Sequence, residues 1–188
     1  MKLIETKLSG VVLLEPVVHG DHRGYFMESY TRSKLEEIGH GYDFVQDNQS
    51  LSVQAGVVRG LHYQLAPKAQ TKLVRVLTGA VYDVVVDIRK GSPTYGEWIG
   101  VVLSEDNKRQ IVVPKGFAHG ICTLVQNTQL LYKVDEYYSP AHDRGIRWND
   151  PALGIDWPIA SPVISAKDDA QPFLADAENN FVYGEGHS

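Results

Sequence analysis

Short apolar segments separated by glycines occupy the middle of the chain. Val, Ile, Leu, Tyr and Phe make up most of these segments, and glycine or proline interrupts them at close intervals. Such β-prone runs with regular turn residues between them are typical of an all-β sandwich or barrel. The pattern predicts seven strands, over residues 56–64, 72–77, 80–88, 96–103, 110–113, 120–126 and 130–138. Residues 77–80 (Leu-Thr-Gly-Ala) are typical of a hairpin turn, with Gly79 supplying a positive φ.

The two flanks of this region have different patterns. Upstream, a helix is predicted over residues 31–38, where Thr31 or Ser33 can cap the start and Gly39 can end it. Downstream of Tyr138 the chain is rich in Pro and Asp but keeps four large apolar side chains: Trp148, Ile155, Trp157 and Phe173. We therefore predict one domain over residues 1–188, with a barrel core at about 50–140, an N-terminal arm and a C-terminal wrap with short helical or loop segments.

Composition narrows the class of protein. The chain has 188 residues, 43% of them hydrophobic, and its longest apolar stretch, around residues 84–86, is far shorter than the ~20 residues of a membrane helix. Its start, residues 1–5, lacks an apolar signal core, so we expect a cytoplasmic protein. The single cysteine, Cys122, excludes an internal disulfide and a cysteine-based zinc site. A net charge of −5 without a Lys/Arg run argues against a nucleic-acid surface, but leaves room for a pocket that binds one nucleotide.

Two histidines are candidates for chemistry. His62 lies in an otherwise apolar strand, where it is either a general base or, as is commoner for a lone histidine, a core residue bonded to a backbone carbonyl. His119 ends a Pro-x-Gly-x-x-His motif that begins at Pro114, the pattern that opens the second half of a cupin barrel. The motif and its distance from His62 together predict a cupin-like jelly roll.

The first half of that barrel departs from the metal-binding pattern. Metal-binding cupins carry His-x-His followed by a glutamate, but here Gln64 takes the second position and residues 66–68 are Ala-Pro-Lys. A stable divalent site usually needs three or four protein ligands. We therefore predict that no metal is bound and that the histidines are free for acid–base work.

Three further residues could serve such chemistry. Lys72 opens an apolar strand and could stabilise an oxyanion, although a solvated strand-end lysine is the simpler interpretation. Tyr132 shares a strand face with Val134 and Glu136, and a tyrosine in a barrel is usually a core residue. Asp168 could hold the free nitrogen of a histidine, although by itself it is an ordinary turn residue.

Two arginines, Arg23 and Arg59, suit the bidentate recognition of one pyrophosphate. Strict alternation along a strand places Arg59 and His62 on opposite faces. If both reach one site, Gly60 must mark a bulge or a local twist.

These blocks resemble the dTDP-4-dehydrorhamnose 3,5-epimerase family. The matching stretches run in family order from about residue 20 to 170, and the most specific are residues 59–64 (Arg-Gly-Leu-His-Tyr-Gln) and 116–120 (Gly-Phe-Ala-His-Gly). The resemblance implies a dTDP-4-keto-6-deoxyglucose substrate, whose C4 ketone acidifies the hydrogens on C3 and C5. It implies that His62 is the base with Asp168 as its partner, that Lys72 stabilises the enolate oxygen, and that Tyr132 reprotonates from the opposite face. No redox cofactor or metal is required.

The resemblance also implies a set of substrate-binding residues and a homodimer in which the N-terminal region reaches the partner subunit. Asp143 stands where the family more often has glutamate, so the side chain at this position is shorter by one methylene. The implied binding residues are Arg23, Phe26, Glu28, Gln46, Asp47, Asn48, Arg59, Lys72, His119, Asp143 and Lys167.

Three alternatives stay open at this point. Related enzymes epimerise only C3 or only C5, and the residues named above do not separate these cases. A non-catalytic sugar- or nucleotide-binding cupin has no need for a base, an acid and an oxyanion clamp together, which argues against it. A metal-dependent cupin isomerase or dioxygenase is disfavoured by Gln64.

Overall fold

Short strands, nearly all of them antiparallel, are the main regular elements of the structure. It is a computed structural model that describes residues 1–184, so the last four residues of the predicted domain lie outside this range. The described strands are β1 Lys2–Glu5, β2 Val12–Glu15, β3 Val18–Asp21, β4 Gly24–Met27, β5 Gln46–Ser52, β6 Val57–Gln64, β7 Lys72–Thr78, β8 Ala80–Asp87, β9 Trp98–Ser104, β10 Gln110–Val113, β11 Phe117–Thr123, β12 Thr128–Val134, β13 Asp143–Gly145 and β14 Val163–Ile164. The helices are α1 Arg32–Glu37 and α2 Ala166–Asp169.

Two main sheets face each other. The first has the strand order β1-β2-β10-β7-β12-β5, and the second has the order β13-β6-β11-β8-β9, with β14 running parallel to β6 at its edge. Strands β3 and β4 form a separate hairpin. Successive strands cross repeatedly from one main sheet to the other, as in a double-sheet jelly roll. The predicted all-β jelly roll is confirmed.

Apolar side chains form three layers. One cluster lies between the sheets and includes Val74 and Ile111 from the first sheet and Val85 and Ile121 from the second. A second cluster covers the outer face of the second sheet, where the C-terminal wrap contributes residues such as Trp157. The third covers the outer face of the first sheet beneath α1. Because strand β8 is buried on both faces, its Val84–Val86 run is continuous rather than alternating.

The sequence predicted the helix and the seven central strands to within a few residues, with two consequential shifts. Strand β11 begins at Phe117, three residues before the predicted start, so His119 lies inside the strand. Strand β12 ends at Val134, so Glu136 does not share its face. Thr31 takes the N-cap position of α1, but its side chain makes no capping hydrogen bond. No helix among residues 1–184 is both long enough and apolar enough to cross a membrane.

The interpretation of residues 77–80 as a hairpin was wrong. Gly79 does have a positive φ, of 81°. However, β7 pairs with β10 and β12 in the first sheet, and β8 pairs with β9 and β11 in the second. The turn therefore carries the chain from one sheet to the other. A local turn signal fixes the reversal of direction but not the partners of the strands that it joins.

Candidate active site

Two adjoining hollows, of about 310 and 300 Å³, lie between the sheets and share four lining residues: His62, Lys72, Tyr132 and Lys167. The first extends towards Arg59, His119 and Asp168, and the second towards Gln46, Asn48 and Asp143. Together they form one cavity, and it contains most of the side chains singled out from the sequence.

His62 and Asp168 form a close pair. His62 Nε2 lies 2.7 Å from Asp168 Oδ1, although 106 residues separate the two along the chain. Ser165 fixes the start of α2 because its hydroxyl accepts a hydrogen bond from the Asp168 N–H at 3.1 Å. Burial pushes the pKa of Asp168 upward, but the hydrogen bond and charge of His62, the Gly60 N–H and the Lys167 ammonium together outweigh it, so the pKa lies below its usual value. The pair is therefore a carboxylate that orients an imidazole.

A bulge brings Arg59 to the same face as His62. Across the β6–β11 pair, His62 lies opposite His119 and Arg59 lies opposite Ile121, so two residues of β6 face the single Gly120. A Cβ built on Gly60 would lie 2.6 Å from the Gly120 Cα, and Gly60 has a φ of 117°. Only glycine fits so close an approach with such a backbone. The predicted irregularity at Gly60 is confirmed.

His119 belongs to a second histidine–aspartate pair. Its Nε2 lies 2.8 Å from Oδ2 of Asp83 on β8, and both side chains are buried. The other carboxylate oxygen, Asp83 Oδ1, is buried without a hydrogen-bond partner among the described residues. Sequence reasoning missed Asp83. The available signal was an acidic residue at an inward position of a mostly apolar strand.

Lys72 lies at the first residue of β7 and lines both hollows. Burial lowers the pKa of Lys72 to about 8, and the nearby carboxylates of Asp143 and Asp83 oppose a further fall. Within residues 1–184, no ion pair or hydrogen bond occupies its ammonium group. Lys72 is thus a cation in the cavity that is free to meet a developing negative charge.

Tyr132 extends from β12, in the first sheet, whereas His62 extends from β6 in the second. Burial raises the pKa of the Tyr132 phenol; the Arg59 guanidinium opposes the rise and the Asp143 carboxylate adds to it. The phenol therefore keeps its proton at neutral pH. No described residue forms a hydrogen bond with its hydroxyl group.

A chain of polar contacts lines the second hollow. Lys167 Nζ donates to Asp143 Oδ2 at 2.6 Å, and the Tyr138 hydroxyl donates to the same oxygen at 3.4 Å. The ion pair with Asp143 raises the pKa of Lys167. The shorter carboxylate at position 143 therefore still reaches a predicted binding residue.

Three other predicted binding residues lie on the cavity wall. Gln46 Nε2 donates to Asn48 Oδ1 at 2.8 Å, on the inward face of β5. Arg59 Nε donates to Ser52 Oγ at 3.2 Å, which anchors the guanidinium to the same strand.

Four predicted binding residues lie away from the cavity. Asp47 alternates with its neighbours on β5, so its carboxylate lies on the other face and pairs with Lys133 Nζ at 2.9 Å. The other three lie on or just after the β3–β4 hairpin: Arg23 pairs with Asp21 at 2.6 Å, Glu28 pairs with Lys34, and Phe26 is 69% exposed. Within one chain, the hairpin does not reach the cavity.

The fit of the site to a metal can be judged from its donors. Among residues 1–184, no group of three or more His, Cys, Asp or Glu side chains is arranged to hold a metal ion. At the position of the second histidine of metal-binding cupins, the Gln64 amide is engaged by backbone groups. The absence of a bound metal stays a prediction.

Comparisons with known proteins identify the family of the chain. A sequence model of the family described as dTDP-4-dehydrorhamnose 3,5-epimerase matches residues 5–176. A Shigella flexneri protein of that name is 52% identical over 169 residues, which cover 89% of this chain and 93% of that protein.

Two solved structures show how far the similarity extends. The dTDP-4-dehydrorhamnose 3,5-epimerase of Bacillus anthracis, with TDP and PPi bound, has a TM-score of 0.90 at 57% identity, over 92% of this chain and 98% of that chain. The dTDP-6-deoxy-D-glucose-3,5-epimerase of Legionella pneumophila, in complex with dTDP-4-keto-L-rhamnose, has a TM-score of 0.88 at 48% identity, over 93% of each chain. On matches of this length and identity, the chain belongs to the dTDP-4-dehydrorhamnose 3,5-epimerase family.

Proposed function

We propose that the chain epimerises dTDP-4-dehydro-6-deoxy-D-glucose at C3 and C5 to give dTDP-4-dehydro-L-rhamnose. The observation that carries the proposal is the placement of His62 and Tyr132 on opposite sheets across one cavity that also contains Lys72. Inversion of a carbon requires a base on one face and an acid on the other, and this arrangement offers both.

The proton steps follow from the contacts of each group. Because Asp168 accepts from His62 Nε2–H, the other nitrogen, Nδ1, is the one that accepts a proton. Removal of the hydrogen from C3 or C5 leaves its electron pair in an enolate, whose oxygen at C4 is stabilised by the Lys72 ammonium.

The Tyr132 hydroxyl then donates its proton to the opposite face of the carbon, which inverts it. Water returns a proton to the phenolate and removes one from the imidazolium, so the cycle consumes nothing. We assign binding of the nucleotide sugar to Gln46, Asn48, Arg59, His119, Asp143 and Lys167.

Incubation with the substrate in heavy water tests the proposal, with C3 and C5 followed by NMR. We expect deuterium at both carbons and inversion of both. His62→Ala is the negative control, because it removes the base. Deuterium at one carbon alone would identify a single-site epimerase. No exchange by folded protein that binds dTDP would identify a binding protein.

A homodimer with shared sites belongs to the proposal. The β3–β4 hairpin carries exposed large side chains, Val18, Tyr25 and Phe26. Strand β5 leaves one edge of the first sheet without a described partner strand, and such edges are often paired or covered. In a two-fold dimer, the hairpin could bring Arg23, Phe26 and Glu28 to the partner's cavity.

A mixing experiment tests the sharing. Inactive Arg23→Ala and His62→Ala proteins are combined at equal amounts under conditions that allow subunit exchange. If the hairpin serves the partner's site, each mixed dimer has one intact site, and activity recovers to about a quarter of the wild-type value. No recovery in proven mixed dimers, or a monomer by light scattering, would contradict it.

The single domain over residues 1–188 and the cytoplasmic location stay predictions. The domain is supported by pairing of the N-terminal strand β2 with β10 and of the C-terminal strands β13 and β14 with β6. Limited proteolysis that releases a folded, stable fragment would contradict it.

A further inference from the structure

Gln64 is buried, with 4% of its surface exposed, at the last residue of β6. Its amide group makes three hydrogen bonds. Nε2 donates to the Lys68 carbonyl at 2.6 Å and to the Tyr137 carbonyl at 3.2 Å, and Oε1 accepts from the Ser139 N–H at 2.8 Å. At the position that a metal-binding histidine takes in other cupins, the Gln64 side chain therefore holds two loops by hydrogen bonds.

The two bonds to the second loop lie on either side of Tyr138. One holds the carbonyl of the residue before it, and the other holds the N–H of the residue after it. The Tyr138 N–H in turn donates to Gln46 Oε1 at 3.3 Å, and its hydroxyl donates to Asp143 Oδ2 at 3.4 Å. One buried amide thus fixes the backbone of a residue that touches two walls of the cavity.

No other described side chain holds both neighbours of Tyr138. Gln70 Nε2 donates to the Glu136 carbonyl at 2.8 Å, which anchors the loop one residue earlier. The Tyr138 side chain is itself 55% exposed, so packing restrains it little. Its position depends on its backbone.

We propose that Gln64 is a positioning residue for substrate binding, which fixes the loop around Tyr138 and thereby the Tyr138–Asp143–Lys167 wall of the cavity. The inference rests on the proposed function, because the wall is assigned to the nucleotide sugar. It predicts an effect on affinity rather than on proton transfer, since Gln64 makes no contact with His62, Lys72 or Tyr132 through its amide.

Gln64→Glu is the sharpest variant. It keeps the size and the acceptor for the Ser139 N–H, but a carboxylate oxygen replaces the donor and faces two carbonyl oxygens. We expect KM to rise about tenfold while kcat stays within about twofold of the wild-type value. Lowering the pH from 8 to 6 protonates part of the introduced carboxyl and restores a donor, so the KM defect shrinks relative to wild type.

Gln49→Glu is the matched control. Gln49 lies on the exposed face of β5, and its amide donates to Gln129 Oε1 at 3.0 Å, away from the cavity. We expect its KM and kcat to stay at the wild-type values. Gln64→Leu, which removes all three hydrogen bonds, is expected to raise KM further if it folds; the Glu variant decides the question if it does not.

The dissociation constant of dTDP, measured by calorimetry, gives a readout without turnover, and we expect it to rise in Gln64→Glu. If the wild type epimerises but KM and this constant are unchanged in folded Gln64→Glu, the inference fails and the proposed function stands. If the melting temperature falls but KM and the dissociation constant do not change, Gln64 has only a structural role and the inference likewise fails. If the wild type does not epimerise but the constant still rises, the proposed function fails and the positioning role survives.

Discussion

Two histidine–aspartate pairs lie side by side in the cavity, His62 with Asp168 and His119 with Asp83. Their hydrogen bonds are nearly equal, at 2.7 and 2.8 Å, and the two imidazoles lie opposite each other across strands β6 and β11. They differ in access, because the His62 side chain is 31% exposed and that of His119 is 9% exposed. The same pair of groups can therefore serve as a base where substrate reaches it and as a fixed binding contact where it is enclosed.

Replacement of the two histidines should give the largest contrast. We expect His62→Ala to lower kcat by about 10²–10⁴-fold with the fold intact, since general bases contribute about that much. His119→Ala should act mainly on KM. Steady-state kinetics with circular dichroism as a check of folding would measure both. Near-wild-type turnover by His62→Ala would remove the base from the mechanism.

Replacement of the two aspartates should give a smaller difference in activity between the two pairs. Asp168→Asn keeps the size of the side chain but removes the charge that supports a protonated imidazole. A hydrogen bond to a charged group contributes about 1.5–3 kcal/mol, so we expect kcat/KM to fall about 10- to 100-fold. Asp83→Asn should lower kcat less. Equal losses of kcat in the two variants would contradict the division of roles.

The pH profile should expose the influence of Asp83 on Lys72. The Lys72 pKa of about 8 means that its ammonium is present below that pH and lost above it. The wild-type kcat/KM should therefore fall as the pH rises through about 8, while burial keeps the pKa of Tyr132 above its usual value. Because the Asp83 carboxylate raises the pKa of Lys72, Asp83→Asn should move this limb to lower pH. If this alkaline limb does not move in Asp83→Asn, the Asp83 carboxylate does not influence the pKa of Lys72.

Chelation should have no effect on either pair. The proposed steps assign both imidazoles to hydrogen bonds and proton transfer, so dialysis against EDTA should leave the rate unchanged. If activity is lost and added divalent metal restores it, at least one of the two histidines is a metal ligand and the proposed division of roles between the pairs is wrong.

Some site residues could be predicted from the sequence and others could not. Residues within inward-facing strand positions, such as Lys72 and Tyr132, were found from pattern and resemblance. The pairing of His119 with Asp83 was missed because it joins neighbouring strands whose register no local pattern specifies. Asp47 was placed with its neighbours by resemblance, although strand alternation turns it to the outer face.

The fold was predictable to a similar degree. Turn residues marked the ends of the central strands, because glycine and proline act locally. Strands β1, β2 and β5 were not predicted. Strand β5 is mostly polar, so it gives no alternating apolar pattern. The partners of β7 and β8 depend on the whole sheet, and a turn motif between them could not reveal that they separate.

Asp168 is supplied by the C-terminal wrap, 106 residues beyond the histidine that it holds. Proteins are made from the N-terminus, and early segments fold while later ones are still being synthesised. Strands β1 to β12 are therefore synthesised before the partner of His62 exists. A nascent barrel could close and bury its core, yet its base would still lack its carboxylate. The His62–Asp168 pair can therefore form only after residues 1–168 have been made and α2 has docked on β6.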